Sequence, residues 1–167
     1  MSKPMEGEKM KTLIIYASKY GCTADCATYL KDKLSGDVAL IDINKANKKI
    51  ELESFSSVII GGSIYASQLY SKELRMFCKN NTDTLRKKKI GIFLCCAQVD
   101  EAREFFTKNF PAELLEHAKA TEIFGSEARL EKMKFLDKKI LNLVTKGDFS
   151  SFTISYENID KFAKIFN

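Results

Sequence analysis

Residues 17–23 read Ala-Ser-Lys-Tyr-Gly-Cys-Thr. These types at this spacing suit a phosphate. Ser18 and Thr23 carry hydroxyls that can donate to phosphate oxygens, and Gly21 lets the backbone turn closely around a ligand. A helix opening after the loop would add unpaired N–H groups and a partial positive charge. The same residues also suit a plain capped turn, with Ser18 or Thr23 satisfying the backbone. The loop lacks the Gly-Lys-Ser/Thr of a Walker-type nucleotide site, and no Gly-x-Gly-x-x-Gly occurs. The apolar runs before the first two candidate loops end at Ala17-Ser18 and Gly61-Gly62, without the aspartates of a phosphorelay receiver.

A second candidate loop reads Gly61-Gly62-Ser63-Ile64-Tyr65-Ala66-Ser67. Paired glycines there predict close approach of the backbone to a flat ligand, and Tyr65 offers a ring to pack on it. A third, Cys95-Cys96-Ala97-Gln98, closes the most apolar run of the chain and offers mainly backbone groups. The five cysteines, Cys22, Cys26, Cys78, Cys95 and Cys96, form no Cys-x-x-Cys, so their spacing marks no metal site. They read as reduced thiols of a reducing compartment and as small apolar residues. The only histidine is His117, which leaves no convincing Ser-His or Cys-His pair.

Positioning these loops falls to an alternation of short apolar runs and amphipathic stretches. The runs Thr12–Ala17, Val38–Ile43, Ser57–Gly62, Ile90–Cys96 and Thr121–Gly125 predict buried parallel strands. Helical spacing predicts helices over Thr23–Leu34, Ser71–Lys79, Asp100–Phe110, Pro111–Ala118, Leu130–Val144 and Asn158–Phe166. The class expected is an α/β three-layer sandwich, doubly wound, with five parallel strands in the flavodoxin-like order 2-1-3-4-5. Ligands in such a sheet bind beyond the carboxyl ends of the strands at the switch point, which selects residues 17–23, 62–68 and 96–100.

With those loops placed, Ser18-Lys19-Tyr20-Gly21-Cys22-Thr23 resembles the FMN phosphate loop of flavodoxins, whose pattern is Ser/Thr-x-Thr/Asn-Gly-x-Thr. Tyr20 departs from it at the third position. A tyrosine there is similar to a subgroup resembling the menaquinone-dependent protoporphyrinogen dehydrogenases. The resemblance runs from about Met10 to the end of the chain. It implies non-covalent FMN, with Ser18, Tyr20, Gly21 and Thr23 around the phosphate beside the amides of Lys19 and Cys22. It also implies Ser63, Ile64, Tyr65 and Ala66 along the flavin, and Cys96, Ala97 and Gln98 bordering its pyrimidine side. Tyr65 stands where that subgroup tends to have arginine, which favours transfer of FMN binding over transfer of porphyrin chemistry.

The chain has 167 residues, enough for one domain and a sizeable core without disulfide or metal staples. Residues 1–9 are polar and read as an extension ahead of a domain over 10–167. No stretch approaches the ~20 apolar residues needed to span a bilayer, and a cytoplasmic protein is expected. The net charge of +5 favours anionic partners. In Leu130–Val144, Leu130, Met133, Leu136, Ile140 and Val144 predict a core-facing stripe, and Lys132, Lys134, Lys138 and Lys139 a basic face. That face could instead dock on an anionic membrane; the subgroup has a similar basic insertion after its fifth strand. The basic run Arg86–Lys89 lacks interleaved aromatics, so no nucleic-acid partner is expected. The functions expected are an FMN redox protein of protoporphyrinogen dehydrogenase type using a quinone and a porphyrinogen, or an electron carrier for redox partner proteins. A flavin-free binding module is disfavoured by intact Ser18, Gly21 and Thr23.

Overall fold

The computed structural model describes residues 10–65 and 68–167; the expected extension over 1–9 and the candidate residue Ala66 lie outside the described residues. Strands β1 (Lys11–Ala17), β2 (Asp37–Asp42), β3 (Ser57–Tyr65), β5 (Lys89–Cys95) and β6 (Ala120–Ile123) pair in parallel in the order β2-β1-β3-β5-β6. This is the expected 2-1-3-4-5 winding with one addition. Gln68–Leu69 forms a two-residue strand, β4, antiparallel to the end of β3. Two residues are too few for a period to show in sequence.

Strand alternation sorts the core into two layers, because successive side chains leave opposite faces. Leu13 and Ile15, Val58 and Ile60, and Ile90, Ile92 and Leu94 pack on one face. There they meet α2 (Lys72–Asn80), α3 (Thr82–Leu85), α4 (Ala102–Asn109) and α5 (Ala112–His117) through Leu74, Leu85, Phe105 and Leu114. Ile14, Ile59 and Phe93 pack on the other, against α1 (Cys22–Lys33) and α7 (Tyr156–Phe166), with Leu30, Ile159 and Phe162 wholly or almost wholly buried. The strands are apolar on both sides because helices cover both sides.

The paired glycines of β3 serve packing. A Cβ on Gly61 would lie 2.0 Å from Phe93 Cζ, and one on Gly62 would lie 2.5 Å from Leu69 Cδ1. The two residues face opposite layers, so each admits a core side chain where a flat ligand was expected to approach.

The segment 130–144 also differs from expectation. Leu130–Lys132 makes a single 3-10 turn, Met133 and Lys134 are extended, and helix α6 runs Phe135–Thr145. Its expected core stripe faces outward: Leu136, Ile140 and Val144 are exposed, with Phe135 and Leu143. The buried residue of α6 is Asp137. The register of this helix is set by a polar anchor, not by an apolar stripe.

Candidate functional site

The sheet brings the first two candidate loops together. Ala17 pairs with Gly62 and Ser63 with Cys95, so β1 and β5 end within one residue of each other while β3 runs on to Tyr65. Beyond β1 the chain turns at Gly21, whose φ of +94° is left-handed and comfortable for glycine. The Gly21 N–H donates to Ser18 Oγ at 3.0 Å, as the capped-turn alternative anticipated. The Ser18 hydroxyl keeps its own proton free to donate outward. Helix α1 then opens at Cys22, one residue earlier than expected.

Among the described residues, two buried hydroxyls have no hydrogen-bond partner: Thr23 Oγ1, in the first turn of α1, and Ser63 Oγ, near the end of β3. Buried polar atoms are nearly always satisfied, and an orphan costs free energy until something fills it. Both belong to the residues expected to touch the cofactor. An orphaned pair flanking the β1 and β3 loops, beside a left-handed glycine at a helix start, fits a bound phosphorylated ligand.

Asp137 organises what covers these loops. Its carboxylate lies 2.8 Å from Lys19 Nζ and accepts from the Tyr65 hydroxyl at 2.5 Å and from the Tyr20 hydroxyl. The Lys19 ammonium also sits 3.9 Å from the Tyr65 ring centroid. The Lys134 N–H donates to the Tyr20 oxygen at 3.4 Å, tying the start of α6 to the first loop. Hydrogen bonding from Lys19, Tyr20 and Tyr65 holds the Asp137 carboxyl down at about 2. Donation to Asp137 pushes the Tyr65 phenol up to about 12. Burial and the same carboxylate raise that of Tyr20.

Arg129 lies over the same loop. Its Nη1 is 2.8 Å from where a Gly21 Cβ would stand, and its guanidinium pairs with Asp25 at 2.6 Å and Glu127 at 2.8 Å. Sequence reasoning missed both Asp137 and Arg129. A lone aspartate in an amphipathic stretch and an arginine in a loop give no local signal of what they reach.

The third candidate loop contributes less. The Cys96 thiol is buried and donates to the Gln98 carbonyl at 3.9 Å, Ala97 is half-buried, and Gln98 is exposed. A concavity of about 410 Å³ lies elsewhere, beside β6, lined by Phe106, Leu115 and Ile123 among others. His117 has a structural partner: its Nε2 lies 2.7 Å from the Lys88 carbonyl.

A family model described as Flavodoxin domain matches residues 13–152, which takes in the strands, the loops and α6. The chain belongs to the flavodoxin-domain family. No curated protein matches it in sequence. Among solved structures, Flavodoxin 2 from Bacillus cereus is similar at 21% identity, covering 93% of this chain and 97% of that one, with a TM-score of 0.56. A WrbA-like flavodoxin from Agrobacterium tumefaciens is 16% identical over 95% of this chain and 99% of its own, with a TM-score of 0.52. Flavodoxin 1 from Bacillus cereus is 19% identical over 93% and 96%, with a TM-score of 0.51. At these identities the likeness is one of fold. Relative to that flavodoxin fold, the loops after β1 and β3 occupy the switch point where a doubly wound sheet binds its ligand. Among the described residues no helix is long and apolar enough to cross a membrane.

Proposed function

We propose that this flavodoxin-domain protein binds FMN non-covalently and passes electrons through it to redox partners. The observation that carries the reading is the pair of buried hydroxyls without a partner among the described residues, Thr23 Oγ1 at the start of α1 and Ser63 Oγ near the end of β3, beside the switch point. Bound FMN would supply the redox chemistry, with the protein providing position and electrostatics.

The chain's own residues bind and orient. Ser18, Tyr20, Gly21 and Thr23 would surround the phosphate, with the amides of Lys19 and Cys22 donating from the opening of α1. Hydroxyl and amide donors to an anion make short, strong hydrogen bonds. Ser63, Ile64 and Tyr65 would lie along the ring, and Cys96, Ala97 and Gln98 would border it through backbone groups. Asp137 keeps Lys19 and the two tyrosines in one arrangement and ties α6 to the first loop.

Two finer readings share this chemistry. In one, the protein resembles the protoporphyrinogen dehydrogenases and oxidises a porphyrinogen with a quinone as acceptor. In the other, it carries electrons between partner proteins. The exposed apolar side of α6, Phe135, Leu136, Leu143 and Val144, flanked by Lys134, Lys138, Lys139 and Lys146, favours work at an anionic lipid surface, where a quinone would be met.

The test of FMN binding is calorimetry on the cofactor-free protein with FMN and riboflavin in parallel. FMN is expected to bind at least a hundredfold more tightly, because riboflavin lacks the group that the first loop holds. Equal affinities would overturn the assignment of that loop. Turnover of a porphyrinogen with a quinone then separates the enzyme from the carrier.

A further inference from the structure

Three of the five cysteines, two from α1 and one from the distant end of β5, meet under the first loop. The sulfurs of Cys22, Cys26 and Cys95 all lie within 4.8 Å of one another, and all three residues are buried. Cys22 and Cys26 are one helical turn apart on α1, so their side chains share a face. Cys95 ends β5 and points into the same layer, on the side of the sheet that α1 covers. Buried cysteines are usually just small apolar residues, and Cys78 and Cys96, in the opposite layer, fit that description. Convergence of three from two elements does not follow from apolar packing alone.

We propose that Cys22, Cys26 and Cys95 form a three-thiolate site for a soft monovalent metal ion, copper(I). Even at the widest spacing an ion at the centre lies within about 2.8 Å of each sulfur, and small side-chain rotations close that to the ~2.3 Å of a metal–thiolate bond. Thiolates select soft ions. Zinc in a structural site takes four ligands in a tetrahedron, and among the described residues no histidine or carboxylate joins the three sulfurs. Cys26 and Cys95 are 1% and 2% exposed, which leaves little room for water as a fourth ligand. A trigonal ion needs none.

The surroundings suit an anionic complex. Each sulfur that binds releases its proton to solvent, and no electron is transferred. Three thiolates around one monovalent cation leave two negative charges. The N-terminus of α1, where Cys22 sits, carries about half a positive charge and offsets part of them. Cys22 is 8% exposed and gives the ion its way in from the surface. Its amide belongs to the phosphate loop while its thiol faces the core. Copper retention is read on protein without FMN, so the outcome for the metal site is separate from that for FMN binding.

The experiment is an anaerobic competition between the reduced, full-length protein and a chromophoric copper(I) chelator. The wild type should take one equivalent of copper(I) from the chelator. Cys26→Ser and Cys95→Ser should each weaken retention at least a hundredfold, while Cys78→Ser should match the wild type. Circular dichroism checks that the variants fold. Should either fail to, X-ray absorption on the copper-loaded wild type decides, with three sulfur neighbours and no nitrogen expected. Failure of the wild type to compete would overturn the proposal. So would wild-type retention in folded Cys26→Ser and Cys95→Ser, preference for zinc(II) over copper(I), or fewer than three sulfurs on the metal.

Discussion

Asp137 Oδ2 lies 2.8 Å from Lys19 Nζ, so a residue of α6 closes an ion pair with the loop after β1. Both side chains are largely shielded, at 12% and 19% exposure. Tyr20 and Tyr65 add their hydroxyls to the same carboxylate, and the four residues come from three separate parts of the chain. This cluster holds a helix whose apolar side has no core to bury against.

Acid should loosen that helix. The Asp137 carboxyl is held at about 2 in the folded protein, below its ordinary value. A depressed acid contributes stability above its unfolded value of roughly 4 and loses it as pH falls towards the folded one. Chemical denaturation of the wild type should show stability falling between about pH 4 and pH 2. Asp137→Asn should be less stable at pH 7 and should flatten that part of the profile. Parallel profiles for the two proteins would remove Asp137 as the anchor.

Thr23→Val separates binding from folding. The Thr23 hydroxyl is buried without a partner, so valine, of similar shape, should leave the cofactor-free protein as stable or raise its stability by about 1 kcal/mol. FMN affinity should fall roughly tenfold to a hundredfold, since a hydrogen bond to a charged group contributes about 1.5–3 kcal/mol. Calorimetry beside urea unfolding reads both. Unchanged affinity would show that the hydroxyl does not meet the phosphate.

Gly61→Ala tests packing. The new Cβ would stand 2.0 Å from Phe93 Cζ. Phe93 is fully buried and stacks on Phe124 at 4.4 Å between ring centroids. Overpacking of this kind costs about 1–3 kcal/mol, and the urea midpoint should drop accordingly. An unchanged midpoint would mean that the aromatic stack yields freely.

Membrane docking is read by flotation with phosphatidylserine vesicles. The wild type should float with them at low salt. Phe135→Ser together with Leu143→Ser should abolish this, because both side chains are exposed and no core packing is lost. Binding should weaken as salt rises, since charges screen over about 8 Å at physiological ionic strength. A wild type that never floats would remove the lipid surface and favour the electron carrier.

Much was legible in the sequence because it depended on local order. Runs such as Ile90–Cys96 specify strands through β-branched and aromatic content, and their alternation with helical spacing specifies a doubly wound α/β class. Gly21 marked the turn because the left-handed backbone there favours glycine. Tertiary structure decided what depends on distance across the fold. Leu136, Ile140 and Val144 have the spacing of a core stripe, yet three polar partners from other elements turn Asp137 inward and leave them exposed. Gly61 and Gly62 gave no sign that Phe93 and Leu69 would fill their places. Cys95 stands far from Cys22 and Cys26 in sequence, and only the packing of helix on strand brings the three sulfurs together. Local propensity acts over a few neighbouring residues. Side chains far apart in the chain become neighbours only when the sheet has closed.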